Sequence, residues 1–536
     1  VAPGHVRLKL EKQQCVSLGL FDGEGHLVAQ PFTGATLAAG THEIDCRAAP
    51  AGDWTWRAVG FDPVLSGPEM LPTAPTPADQ PRRESTKRTR PKPLAIVGAG
   101  MLDARGIAGG DAGAPCAVTT DERSVFLGWQ AARVGHEIVA CDPEGRVLWG
   151  HHHGGAQISG VRALAADGGT VFVLADAEGS KIYRLDANTG TPQPWKGRLE
   201  REITIKSLWG SDPKDKPTHA EYLAADHGRL YVTFADEQFV AVLDAQTGNY
   251  VTTLTGPEPG PMAFSTTPMR DPETNEEKII DFGVAAIAKH GLAYFLMEHE
   301  PPWVMMSTTR WLQEDETIAA VALIGDAMKT NQLTIVTGLG APYQQVQLRP
   351  AEAAEGFSTA VGEVGGRPEA GPWKADGLRD IRAIAVDAAG QLWVAEGDLH
   401  FGRFTTWKPE GKQGTLLREV FGPADTTTLA VDPANPFSIT LGGLRWQIDP
   451  ATFAATPTER LADSPTPTAT TNEYRDSGGL LLWQPPETET RVWSIHRTAD
   501  GRLFAWRRGV GAELHRLAGL EKPIALGNGK VTVGPK

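Results

Sequence analysis

Residues 381–396 read IRAIAVDAAGQLWVAE: an apolar strand, an Asp-led turn with Gly390, and a second strand almost free of polar residues. Short apolar runs bounded by turn residues are what strands buried on both faces require. The unit recurs as CAVTTDERSVFLGW (116–129), VRALAADGGTVFVLAD (161–176), AEYLAADHGRLYVTFA (220–235), TLAVDPANPFSITLGG (428–443) and SIHRTADGRLFAWRR (494–508). Its turn aspartates are Asp121, Asp167, Asp226, Asp387, Asp432 and Asp500. Asp121 and Asp167 stand 46 residues apart and Asp387 and Asp432 stand 45 apart, the length of one four-stranded repeat. Two degenerate copies, GVAAIAKHGLAYFLM (283–297) and TIAAVALIGDAMKTNQLTIVTG (317–338), fill the long gap. A third strand follows several copies: IYRLDANTG (182–190), VAVLDAQTG (240–248) and WQIDPAT (446–452). One four-stranded sheet cannot bury both its faces, whereas radial packing of several buries them all and leaves few free edges. The repeats therefore predict an all-β chain with a seven- or eight-bladed β-propeller over residues 94–536.

Composition agrees. The 536 residues exceed one ordinary core, and 60 Gly and 40 Pro beside 41% hydrophobic residues suit many short strands and tight turns. A formal charge of −14 argues against a nucleic-acid partner, which needs a concentrated basic surface. The sequence has no apolar run long enough for a transmembrane helix. Residues 4–62 read as a separate all-β unit: CVSLGLFDGEGHLVAQ (15–30) is strand, turn, strand, followed by LAAGTHEIDC (37–46) and AGDWTWRAVG (51–60). We expect a small Ig-like β-sandwich over 1–71. A Pro-rich basic linker is expected over 72–93, PTAPTPADQPRRESTKRTRPKP, too poor in apolar residues to fold alone. Four cysteines are too few for a disulfide framework. Cys15 and Cys46 fall on neighbouring predicted strands, and whether they pair is left open. Cys116 and Cys141 fall on the first and third strands of one blade and read as small buried hydrophobes.

The order of strands in 15–60 resembles the Ig-like domain of flagellar hook-capping proteins, a module that serves as spacer or docking domain. The repeats resemble NHL-type and quinoprotein-type propellers, most clearly in GGRPEAGPWKADGLRDIRAIAVDAAGQLWVAEGDLHFGRFTTWKPEGKQGTLLREVFGP (365–423). Together the two parts are similar to multi-domain exported proteins of polysaccharide-degrading bacteria. That likeness implies an extracytoplasmic location (secreted, periplasmic or cell-surface), and a chain beginning at Val1 fits removal of a signal peptide. The resemblance marks fold rather than chemistry.

In a propeller the links into each inner strand and the loops between second and third strands share one rim. Polar residues there are the candidates: His151, His152 and His153 in GHHHGGAQISG (150–160), and His219 with Tyr222 in KDKPTHAEY (214–222). Glu298, His299 and Glu300 lie in MEHEPPW (297–303), and Glu396, Asp398 and His400 in AEGDLHFGR (395–403). Arg379, Asp380, Asp425 and Arg491 occupy similar places in the later copies. Imidazole with carboxylate suits a divalent metal, so His151, His153, His299, Glu298 and Glu396 are candidate ligands for Zn, Mn or Ca. Trp303, Asp398, His400 and Asp425 are candidate substrate contacts, Trp303 as a platform for a sugar ring. Trp129, Trp393 and Trp493 could stack on a sugar in the same way, but Trp393 and Trp493 lie within predicted strands, where interlocking of blades is the commoner role.

Two functions follow from different classes. One is binding or processing of carbohydrate at the rim, by lyase-like β-elimination or metal-assisted hydrolysis. In β-elimination His219 or His152 removes a proton, Arg379 or Arg491 holds the uronate carboxylate, and Tyr222 serves as acid. The other is a non-catalytic interaction or assembly propeller at the cell surface, with carbohydrate replaced by a surface protein as partner.

Overall fold

The computed structural model describes residues 2–61, 95–97, 115–121, 123–129, 138–150, 158, 160–176, 179–209, 217, 219–234, 237, 239–255, 260–267, 282–287, 292–297, 303–310, 318–324, 334–350, 358–399, 402–422, 428–463, 465–469, 473–484, 493–508 and 512–535. These residues are almost wholly β, with one 3₁₀ turn at Ile205–Trp209. None of their helices is long and apolar enough to cross a membrane. The chain divides into two compact units, 1–97 with 426–458 and 463–536, and 98–425 with 459–462.

The larger unit follows directly from the repeat. Six antiparallel sheets succeed one another among the described residues, each a simple meander of consecutive strands. Their first strands are Pro115–Thr120, Val161–Asp167, Ala220–Asp226, Met262–Thr267, Ile318–Ile324 and Ile381–Val386. Sheets three and four also join through a parallel pairing of their last strands, Leu254 opposite Trp303. Neighbouring sheets share cores. Phe126, Ile138 and Val161 fill the space between sheets one and two with Val171, Val173 and Leu185. Phe172, Leu174 and Trp195 meet Leu230, Val232 and Leu243 between sheets two and three. Tyr231 stacks on Phe264 at 3.7 Å between three and four, and the first strand of sheet four lies along that of sheet five. Val336, Val346 and Leu348 meet Ile384, Leu392 and Trp407 between five and six. The sixth sheet then packs on the first: Val118, Val125, Leu127 and Trp129 share a core with Trp393, Ala395, Phe404 and Val420. Thr120 Oγ1 donates to the Val386 carbonyl at 2.7 Å across that same junction.

The recurring aspartates explain the turns. Asp121 Oδ1 accepts the amides of Arg123 and Ser124 at 2.8 and 2.7 Å. Asp387 Oδ1 does the same for Ala389 and Gln391, and its Oδ2 takes the indole N–H of Trp393 at 2.9 Å. A short side-chain acceptor supplies the hydrogen bonds that a tight turn cannot supply from its own backbone. In the two LDAxTG turns, Asp186 and Asp244 accept from two amides and from the Thr189 or Thr247 hydroxyl. Gly190 closes the first at φ 69, and a Cβ there would lie 2.5 Å from Trp149 of the preceding sheet.

The smaller unit combines the N- and C-terminal ends. His5–Leu10 pairs with Gly40–Asp45, and a four-stranded sheet runs in the order Leu27–Leu37, Gln14–Phe21, Gly52–Phe61, Ile524–Val533. The two sheets bury Val6, Leu8, Leu10, Val16, Leu18, Leu20 and Ile44 between them. The four-stranded sheet turns its other face, with Cys15, Phe21, Val59 and Phe61, to Leu480, Leu482, Trp483, Leu503 and Ala505. Gln14–Phe21 is therefore buried along its whole length. The N-terminal strands thus take their fourth sheet partner from the far end of the chain, which periodicity near the N-terminus could not reveal.

Two of the eight repeat copies also fall in this unit, at Ala430–Leu441 and Trp493–Arg508, instead of adding to those six sheets. The last of these sheets takes Ala95–Val97 as its fourth strand. The expected seven or eight consecutive sheets are, among the described residues, six in one unit. Cys15 and Cys46 are free and point into different cores, so they do not pair. Cys116 and Cys141 lie on the first and third strands of sheet one, as expected. The linker expected over 72–93 lies outside the described residues.

Candidate functional site

The first strands of five sheets share a register irregularity near their start, at Pro115/Ala117, Val161/Ala163, Ala220/Leu223, Ile318/Ala320 and Ile381/Ala383. A bulge leaves its extra residue out of the ladder and re-aims the side chain, often at a rim. The residues so placed are Cys116, Arg162, Glu221 with Tyr222, Ala319 and Arg382. The site is built on this layer of the ring.

Arg162 donates from Nε and Nη2 to Asp176 Oδ2 at 2.9 and 2.6 Å. His219 Nδ1 lies 3.6 Å from the other oxygen, Asp176 Oδ1. Burial pushes the Asp176 carboxyl up, but Arg162 and His219 outweigh it and hold the group below the usual carboxylate range. Sheet six repeats the device with the partner moved. Arg382 donates from Nε and Nη2 to Asp380 Oδ2 at 3.1 and 2.7 Å. In sheet two the aspartate follows the second strand and Gly160 precedes the first; in sheet six Asp380 precedes the first strand and Gly397 follows the second. The backbone contact is the same, Asp176 N to Gly160 O and Gly397 N to Asp380 O. A Cβ on Gly397 would stand 2.6 Å from Arg382 Nε and 2.8 Å from Asp380 Oδ2, so the pair needs a glycine opposite it. Asp380 itself adopts φ 50, a left-handed conformation that Asp tolerates better than most residues. Its amide donates to Gln344 Oε1 at 2.8 Å.

Tyr222, on sheet three, is half-buried. Burial raises its phenol above the ordinary value, Glu221 adds to the rise, and the charges of Arg162 and Arg382 oppose it. It therefore carries its proton at neutral pH and can donate a hydrogen bond. Arg162, Tyr222 and Arg382 stand on sheets two, three and six, each at the irregularity near the start of its first strand.

Sheet six also holds the expected Glu396 and Asp398, in a different setting. Glu396 is fully buried, with Arg367 Nη1 2.8 Å from Oε2 and Arg403 Nη1 2.7 Å from Oε1. The Arg379 amide donates to Oε2 at 2.9 Å. Burial pushes the carboxyl up, and Arg403 and Arg367 pull it down. Asp398 pairs with Arg367 at 2.5 Å and with Arg460. Trp373 lies under Arg367 and Arg403, 4.8 and 5.2 Å from its ring centre.

This corrects three expectations. Glu396 has both oxygens engaged by guanidinium groups and is no free metal ligand. Asp398 is engaged from two sides by Arg367 and Arg460. Arg379 is committed to Glu369 at 2.5 Å and to the Arg367 carbonyl at 3.0 Å. A buried carboxylate collects cations because leaving it unpaired costs several kcal/mol.

Of the expected site residues, His219 faces Asp176 and Tyr222 lies on the first strand of sheet three. Trp303 begins the strand Trp303–Arg310 instead of lying in a loop. Trp129 and Trp393 are core residues, 2% and 0% exposed, so neither is a sugar platform. His151, His152, His153, Glu298, His299, Glu300, His400, Asp425 and Arg491 lie outside the described residues. The reading missed Arg162 and Arg382. Their signal was present: an arginine in the second place of VRALAAD and IRAIAVD, interrupting strands that are otherwise apolar.

No known protein family matches the chain, and no curated protein does. Solved structures similar to it include the WD40 repeats of RRP9, at 16% identity over 62% of this chain and 91% of that one, with a TM-score of 0.36. The WD40 β-propeller domain of Doa1 is 11% identical over 67% of this chain and 99% of that one, TM-score 0.35. YCF48 bound to D1 peptide is 10% identical over 69% and 98%, TM-score 0.32.

Proposed function

We propose that the larger unit is a six-bladed β-propeller and that the protein is a non-catalytic interaction module whose partner is another protein. The observation that carries the reading is the core shared by sheets six and one. It supports closure of the ring and makes the bulge layer a stiff mouth on which side chains from several blades are held in place before a partner arrives. Preformed geometry lowers the ordering cost of association. The smaller unit, with its N-terminal sandwich, then serves as an Ig-like spacer, and an extracytoplasmic setting suits such an assembly.

The test is capture by immobilised full-length chain, wild type against an Arg162→Gln/Arg382→Gln double variant of matched melting temperature. A partner that co-purifies in constant stoichiometry with the wild type and is lost from the double variant supports the reading. Equal capture by both moves the interaction away from the mouth and overturns it.

One observation favours a second reading. His219 and Arg162 both face Asp176, with Tyr222 on the first strand of sheet three, and these are the base, carboxylate partner and acid that β-elimination on a uronate glycan needs. With Nδ1 of His219 facing Asp176, Nε2 is the nitrogen available as base. Steady release of unsaturated uronate, followed by absorbance and abolished by His219→Ala, would replace the interaction reading with this one.

A further inference from the structure

We draw no further inference here: the strongest candidate, the side-chain cluster of Asp22, Glu24 and His26 in the turn between the strands Gln14–Phe21 and Leu27–Leu37, brings its ligand atoms within 4.8 Å of one another, but it is a largely exposed acidic turn held by hydrogen bonds of its own, and no second observation among the described residues points to a cation there.

Discussion

Glu396 and Gly397 are adjacent in sheet six, and they serve two arginine–carboxylate systems that behave in opposite ways. On the Glu396 side every guanidinium nitrogen of Arg403 is spent. Arg403 gives its Nη1 to Glu396 and the Gly377 carbonyl, and its Nε and Nη2 to Glu419 at 2.9 and 2.6 Å. On the Gly397 side, Arg382 spends one edge and keeps the other for solvent. The same two residue types form a buried scaffold in the first case and a half-exposed pair in the second. Exposure and the number of unused donors make the difference, and neither can be read from residue identity.

The largest effect should come from the saturated side. Glu396→Gln leaves Arg367 and Arg403 buried without their shared anion, and removing one partner of a buried ion pair costs about 3–5 kcal/mol. Arg382→Gln breaks a half-exposed pair, for which about 0–1 kcal/mol is expected. Urea unfolding of both variants checks the contrast directly. Equal losses would mean that the two systems are not different in kind.

A buried ionisable group can also avoid its desolvation cost by giving up its charge. His496, in the smaller unit, follows that route: burial pushes its pKa down from 6.5 to about 4, with Asp432 pulling the other way. Ser494 Oγ lies 2.5 Å from its Nε2. A histidine depressed in the folded state binds fewer protons than the unfolded chain between those two values, so stability falls as pH drops through the window. Melting temperature against pH should be steeper for wild type than for His496→Phe between pH 6.5 and 4. Parallel curves would show that His496 is not held neutral.

These contrasts also mark what was legible in the sequence. The strand-turn-strand unit was readable because burial on both faces leaves an apolar run, and each turn writes an aspartate. Copies at 430–441 and 493–508 obey the same local rules in the smaller unit, so repetition counted sheets without saying which join the ring. The return of Ile524–Val533 to the N-terminal sheet was hidden for a similar reason: pairing partners far apart in sequence leave no local trace. His219 and Tyr222 were found because they precede and begin an inner strand. Arg162 and Arg382 were passed over because inner strands read as core, although an arginine in the second place of an otherwise apolar run was itself the sign of a residue turned outward. Glu396 and Asp398 looked like ligands until the structure showed the arginines, some of them distant in sequence, that neutralise them.

The two mouth pairs differ in where their glycine stands, and that difference can be tested with smaller effects. In Gly397→Ala the new Cβ meets the Arg382 and Asp380 side-chain ends, which can move, so stability should change by no more than about 1 kcal/mol. In Gly160→Ala the nearest atom is Asp176 Cβ at 3.7 Å, but φ is 71, so backbone strain of about 1–2 kcal/mol replaces the clash. Stability should therefore fall more at 160 than at 397. Calorimetric melting of both variants separates the two, and the reverse order would deny that the side chains opposite Gly397 can yield.

The smallest effect separates orientation from charge at Asp176. Its carboxyl is held below the ordinary value, so the stability it contributes is present above that value and is lost as pH falls through the lowered one. Asp176→Asn keeps an oxygen that can accept from Arg162, so the guanidinium stays oriented while the opposing charge is gone. At neutral pH the variant should lose about 0.2–1 kcal/mol, as a partly exposed pair does, and the gap to wild type should close in acid. A gap that stays the same in acid would mean that the charge of Asp176 is not what the variant loses.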